Sequence, residues 1–377
     1  MRIVSTLAAA LAVLASATAQ KPAKPRTLDT VLAAFAAQVD ALYADGKSPT
    51  REQESELRTR QLQELESFAQ HEAEGDDRWS ALAMLAGMCA ESRQKPRAQK
   101  ALAALDVDAV PFAAAIRGAE VAASIDDAAA KGSLIARAEA KAATIEQRMD
   151  LARALMTSLR EVAKGEAIAD REIAAAKDDE AKAYARWLRC NAMREREDLP
   201  ENSYYEALEA LVESLPATRW GGIAKDRCAA SKFQLGAACF PFRATTLAGA
   251  EFASEALRGK AVALLFCDTT DPSSVATLRA LADRRAKAKD DLAVLIVAID
   301  TDCATATRSA KDFGDALQFA CDGRGMDAEL ALRFHVETAP TVILLDRKGA
   351  IAGLNLHSET RESQQELDEA LARALAK

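Results

Sequence analysis

Two hydrophobic grammars divide the chain. From about Gln20 to Phe233 apolar positions recur at three- and four-residue intervals, the spacing of one helix face. Ile145, Met149, Ala152, Leu155, Met156, Leu159 and Val162 form one such face, and Tyr204, Tyr205, Leu208, Leu211, Val212 and Leu215 another. Ser203 followed by Glu206 supplies a capping box for the second series, and Pro216 stops it. Ser48 before Pro49 signals a further helix start, an N-cap followed by the residue best tolerated at the first helical position. The stretch is Ala-rich and Gly-poor, with no strand-like alternation. Residues 20–233 are therefore expected to form an all-α domain, a bundle or an irregular set of helical hairpins.

After Phe233 the pattern changes. "AVALLF", "LAVLIVAI" and "TVILL" are unbroken apolar runs, the mark of strands covered on both faces. Helical segments separate them, which predicts a parallel or mixed sheet. "TVILLD" and "AIAGL" flank the short turn "RKG" and predict an antiparallel hairpin at one side. A last helix presents Leu367, Leu371 and Ala374 on one face. Residues 234–377 are expected to form an α/β domain.

Composition narrows the class. The chain has 377 residues, half of them apolar, enough for more than one core. It opens "MRIVSTLAAALAVLASATAQ", with Arg2, an apolar run, then Ala17 and Ala19, which predicts a signal peptide over residues 1–19 and an exported mature chain. The apolar run is short of the roughly 20 residues of a membrane span, so none is expected in the mature chain. With 49 basic against 57 acidic residues the protein is acidic, a poor candidate for binding nucleic acid.

The seven cysteines are Cys89, Cys190, Cys228, Cys239, Cys267, Cys303 and Cys321. None forms a C-x-x-C pair, and three scattered histidines complete no zinc pattern; no metal and no cofactor is expected. Cys89 and Cys190 lie on apolar helix faces and read as buried thiols. Cys228 and Cys239 could equally be a staple or two separate core residues. Asp268 and Asp271 read as a solvated turn with a cap, and His335 as a packing or surface residue.

Several motifs carry a family resemblance. "QLGAACFPFRATTLAGAEFASEALRGKAVALLF" resembles the start of TlpA/ResA-type thioredoxin-like domains, related to the redoxin and alkyl-hydroperoxide-reductase/thiol-specific-antioxidant group. The matching residues are Leu235, Gly236, Phe242, Gly249, Leu257, Gly259 and Lys260. Asp322, Phe334, Val336, Pro340, Thr341, Asp346 and Gly349 continue the match in order. The resemblance spans 234–377 and implies a central mixed sheet flanked by helices, with a cis Pro340 in the Ala339-Pro340-Thr341 segment facing the active-site turn. Upstream, "YYEALEALVESLPATRWGGIAKDRCAAS" resembles one tetratricopeptide-type hairpin.

The resemblance fails at the turn that carries the chemistry. Counted from Phe266, the family's two exchange cysteines fall on Asp271 and Ser274, and the acidic residue that often follows falls on Thr277. Asp271 before Pro272 is instead a well-formed helix N-cap. The implied reading is an exported binding or structural module, non-catalytic or weakly redox-active, with protein partners meeting the helical region. The alternative is a thiol–disulfide oxidoreductase using Cys303 with Cys321 or Cys267, all near the carboxyl ends of the strands where α/β sheets place their sites. For Cys303 and Cys321 a redox pair, a structural disulfide and separate buried thiols remain open. A peroxidase is a third possibility, but its usual sulfur position falls near Val275. The resemblance favours the periplasm over the extracellular space.

Overall fold

The computed structural model describes residues 26–43, 50–200, 202–314, 317–358 and 360–376. The expected signal peptide, residues 1–19, lies outside the described residues. The chain divides into two compact units between Glu172 and Ile173.

The first unit is helical: α1 (Leu28–Tyr43), α2 (Arg51–His71), α3 (Gly75–Glu91), α4 (Lys95–Ala103), α5 (Phe112–Ser124), α6 (Ala128–Lys141), α7 (Ile145–Met156) and the greater part of α8 (Val162–Ala175). Successive helices pack as neighbours, α2 on α3, α3 on α4 and α5 on α6. Small residues set the spacing: a Cβ at Gly165 of α8 would stand 2.5 Å from Met156 Cγ and 2.6 Å from Ala152 O of α7. Ser48 and Pro49 lie outside the described residues, and the start they signalled belongs to Thr50. Its hydroxyl accepts from Gln53 N while the Gln53 side chain accepts from Thr50 N, a complete capping box.

The periodic face from Ile145 to Val162 is not one helix. α7 ends at Met156, and the chain turns through Arg160 at φ 55° before α8 begins. Hydroxyls supply the local reason: Thr157 Oγ1 donates to Arg153 O at 2.8 Å and Ser158 Oγ to Ala154 O at 3.4 Å. Leu159 in the turn is still buried, so the apolar rhythm carries on through the break.

In the second unit, α9 (Asp179–Arg194), α10 (Ser203–Ser214) and α11 (Arg219–Ala230) precede the sheet. The Ser203–Glu206 capping box does not form. Asn202 already has αR geometry, φ −83° and ψ −11°, which places Ser203 inside the helix, and the Asn202 amide reaches the Glu206 carboxylate. Trp187, Cys190, Tyr204, Leu208, Ile223, Ala224 and Cys228 of these helices share a core with Leu332 of α14 (Glu329–Arg333). The change of grammar at Phe233 thus falls inside a compact unit.

A hairpin of β1 (Arg243–Thr245) and β2 (Glu251–Ala253) leads into a five-stranded sheet. Its strands are β3 (Ala261–Cys267), β4 (Leu292–Ala298), β5 (Gln318–Ala320), β6 (Thr341–Leu345) and β7 (Ile351–Leu356), in the order β5-β4-β3-β6-β7. β3, β4 and β5 are parallel, whereas β6 and β7 run antiparallel to their neighbours. All seven residues of β3 are buried, as an unbroken apolar run requires. α12 (Pro272–Ala288), α13 (Cys303–Phe313) and α15 (Arg361–Leu375) contribute to the core on one face. On the other, Phe334 packs against Phe240, Phe242 and Phe266.

Candidate functional site

The sheet topology brings the singled-out residues to one end. β3 and β4 stop together, with Cys267 paired to Ala298, and Cys321 is the next residue after the Val297–Ala320 pair of β4 and β5. Cys267, Ala298 and Cys321 therefore form one row across three strands. Phe266 pairs with Thr341, so Pro340 lies one step further, beside Cys267, where the chain leaves for Asp271. The Ala339–Pro340 bond is cis, and Thr341 Oγ1 donates to Thr338 O at 2.8 Å.

Asp271 caps α12. Its Oδ2 accepts from Ser274 N at 2.7 Å and from the Ser273 hydroxyl, with Pro272 at the first helical position. Partial burial works against the charge, but the hydrogen bonds from Ser273 and Ser274 outweigh it and hold the carboxyl below its usual range. Ser274 is 1% exposed and its hydroxyl has no hydrogen-bond partner among the described residues. Thr277, at the position of the family's acid, donates to Ser273 O at 3.1 Å and receives a bond of 3.1 Å from Ser358 Oγ.

The loop before the cap is tied down. Thr269 donates through its backbone and its hydroxyl to the two oxygens of buried Asp300, at 3.2 and 2.7 Å. Thr270 donates through its backbone and its hydroxyl to a single oxygen, Asp268 Oδ1, at 2.8 and 2.7 Å. Asp268 and Asp271 are thus each engaged locally in a capped turn.

The sulfurs sort into one bonded pair and five free thiols among the described residues. Cys303 and Cys321 form a disulfide with their Cα atoms 5.7 Å apart, and both are half-buried. Cys303 opens α13, whose N-cap Asp302 accepts from Ala304 N at 2.9 Å. Cys267 is fully buried, and that burial, reinforced by Asp300, Asp268 and Asp271, drives its thiol far up. Two strand spacings separate it from Cys321, about 9.6 Å between Cα atoms, beyond the roughly 7 Å a disulfide spans.

Cys228 and Cys239 are free and buried, not a staple; burial raises both thiols, Cys239 to about 12. Cys89 and Cys190 are buried thiols, as their helix faces imply. His335 packs edge-on against Tyr205, and its pKa is lowered by burial and then by Arg227. No cluster of three or more His, Cys, Asp or Glu residues able to hold a metal ion occurs among the described residues.

Two groups escaped sequence reasoning. The Thr269–Asp300 pair joins loops distant in sequence and has no local signal. Arg227 is 2% exposed; its guanidinium donates to Leu332 O at 3.2 Å and lies over the Trp187 and Tyr204 rings.

The parallel β3–β4–β5 edge, the antiparallel β6–β7 pair and the helix springing from β3 are the decisive geometry. The fold is thioredoxin-like. Solved structures with this likeness include a protein described as thiol:disulfide interchange protein DsbE from Chlorobium tepidum, at 19% identity, covering 38% of this chain and 100% of that one with a TM-score of 0.34. A secreted Mycobacterium tuberculosis disulfide oxidoreductase homologous to E. coli DsbE matches at 25% identity over 35% of this chain and 94% of its own, TM-score 0.30. A thiol-disulfide oxidoreductase from Bacteroides fragilis matches at 22% identity over 36% and 98%, TM-score 0.30. No family profile matches the chain, and no curated protein matches it. No helix among the described residues is long and apolar enough to cross a membrane.

Proposed function

We propose that the chain is an exported thioredoxin-like protein that acts as a binding or structural module, having lost dithiol exchange at the turn of its TlpA/ResA-like domain. The observation that carries this reading is the Asp271 carboxylate at the N-terminus of α12, hydrogen-bonded and held in its ionised form. Thiol–disulfide exchange needs a thiolate, which neither Asp271 nor Ser274 can supply. The sulfur at the end of β3, Cys267, is sealed and strongly biased toward its neutral form.

Export is supported by the signal-like residues 1–19 and by a bonded cysteine pair, which suits an oxidising compartment such as the periplasm. The helices supply the surface for a protein partner. α10 and α11, joined through Pro216, are the segment that resembles a tetratricopeptide-type hairpin. The alternative, an oxidoreductase working through Cys303 and Cys321, is favoured by the bond between them; Cys267 has no comparable support.

The test is insulin reduction by the mature chain in the presence of dithiothreitol, beside an intact thioredoxin. A rate no greater than dithiothreitol alone is expected. A thioredoxin-like rate that survives replacement of Cys303 and Cys321 by serine would overturn the reading of the turn.

A further inference from the structure

The Cys303–Cys321 bond lies apart from the Asp271 turn and carries chemistry of its own. Cys303 is the first residue of α13, a helix of 11 residues, which places it at the positive end of the helix dipole, where a thiolate is favoured, while Asp302 takes the Ala304 and Thr305 N–H groups. Neither cysteine is sealed: both keep part of their surface exposed. Gly323, at φ +73°, lies against the bond, and a Cβ there would stand at ordinary contact distance, 3.7 Å, from Cys303 Sγ. β5 does not depend on the sulfurs for its place. It pairs with β4 from Leu295–Gln318 to Val297–Ala320, and Leu247 N donates to Phe319 O at 2.6 Å.

We infer that Cys303–Cys321 is a reversible redox couple of the folded domain, taking two electrons from a dithiol protein and releasing Cys303 as a helix-stabilised thiolate. This deepens the alternative given above, exchange through Cys303 and Cys321, and rests on the Asp271 turn performing no exchange itself. A thiolate of the dithiol attacks Cys321 Sγ; the S–S bond breaks and its electron pair leaves on Cys303 Sγ. The second thiol of the donor, deprotonated, then attacks the donor sulfur of the mixed disulfide. Its own disulfide closes, and Cys321 departs as a thiolate that takes up a proton. One disulfide is reduced, one dithiol is oxidised, and the two protons of the donor go to Cys321 and, according to pH, to Cys303 or solvent. The reduced form gains from the helix end, which shifts such a couple toward the oxidising side. Asp302, the cap of the same helix, opposes this by like charge.

The experiment uses the full mature chain without denaturant. Reduced thioredoxin is added and free thiols are counted by alkylation and mass mapping, while circular dichroism follows the fold. Opening of the 303–321 bond with unchanged secondary structure is expected. With the bond broken by single substitution, Cys303 in the Cys321→Ser variant should alkylate at neutral pH about threefold faster than Cys321 in the Cys303→Ser variant, the ratio for a pKa lowered by one unit once the weaker nucleophilicity offsets about half of the gain in thiolate. Asp302→Asn, which keeps the cap and removes its charge, should make the bond easier to reduce. A bond that opens only on unfolding, or equal alkylation rates in the two variants, would overturn the inference. These readouts do not involve insulin turnover, so the two readings fail separately.

Discussion

Replacing Asp271 with Ala removes the acceptor for Ser274 N and the Ser273 hydroxyl, and should cost about 1 kcal/mol in urea unfolding. Because its pKa is lower in the folded chain than in the unfolded one, its contribution is fully present above the ordinary carboxylate value of about 3.9 and is lost as pH falls through the depressed value. The gap between wild type and Asp271→Ala should therefore be steady from about pH 5 upward and narrow below about pH 4. Returning sulfur to the turn tests the scaffold itself. The double variant D271C/S274C should acquire insulin reduction above the dithiothreitol background, whereas Asp271→Cys alone should not. Asp271 was legible as a cap because capping is a local property of Asp-Pro before a helix. Arg227 was not, because an arginine on an amphipathic helix reads as surface, and only the tertiary position of Trp187, Tyr204 and Leu332 buries it.

At the scale of elements, legibility followed burial. β3, β4 and β6 lie in the interior of the sheet, so nearly every position is apolar and the runs stand out. β1, β2 and β5 have three residues each, too few for any period to register. The turn between α7 and α8 escaped because Leu159 keeps the rhythm while the backbone breaks it. The approach of those two helices makes a sharp prediction. Gly165→Ala would drive a Cβ into Met156 Cγ and Ala152 O, and the second is backbone that cannot swing aside. Thermal unfolding should report a loss of about 1–3 kcal/mol, the usual cost of overpacking.

For the whole molecule, the grammar of the sequence and the compaction of the chain part company. Residues 234–377 carry the entire sheet, yet α9–α11 share a core with Leu332 and bind α14 through Asp226–Arg333 at 2.7 Å and Arg219–Glu329 at 2.8 Å. A fragment from residue 234 would expose Leu332 and strand Arg333 without its carboxylate; one from residue 173 keeps both partners. Thermal melts of the two fragments should show the longer one melting several degrees higher, and equal midpoints would mean that the helices add nothing. This seam was invisible to pattern reading, because helices that cover a neighbouring fold have the same periodicity as helices that cover each other.

The central place of β3 bears on the order in which the protein can be made. Its neighbour on one side begins at Leu292, but its neighbour on the other, β6, begins only at Thr341. A chain threading out residue by residue must hold one flank of its longest fully buried strand open while the intervening segments emerge. Completion of the sheet is consequently a late event of biosynthesis, and a polypeptide stalled before Thr341 would offer that bare flank to whatever strand it meets first.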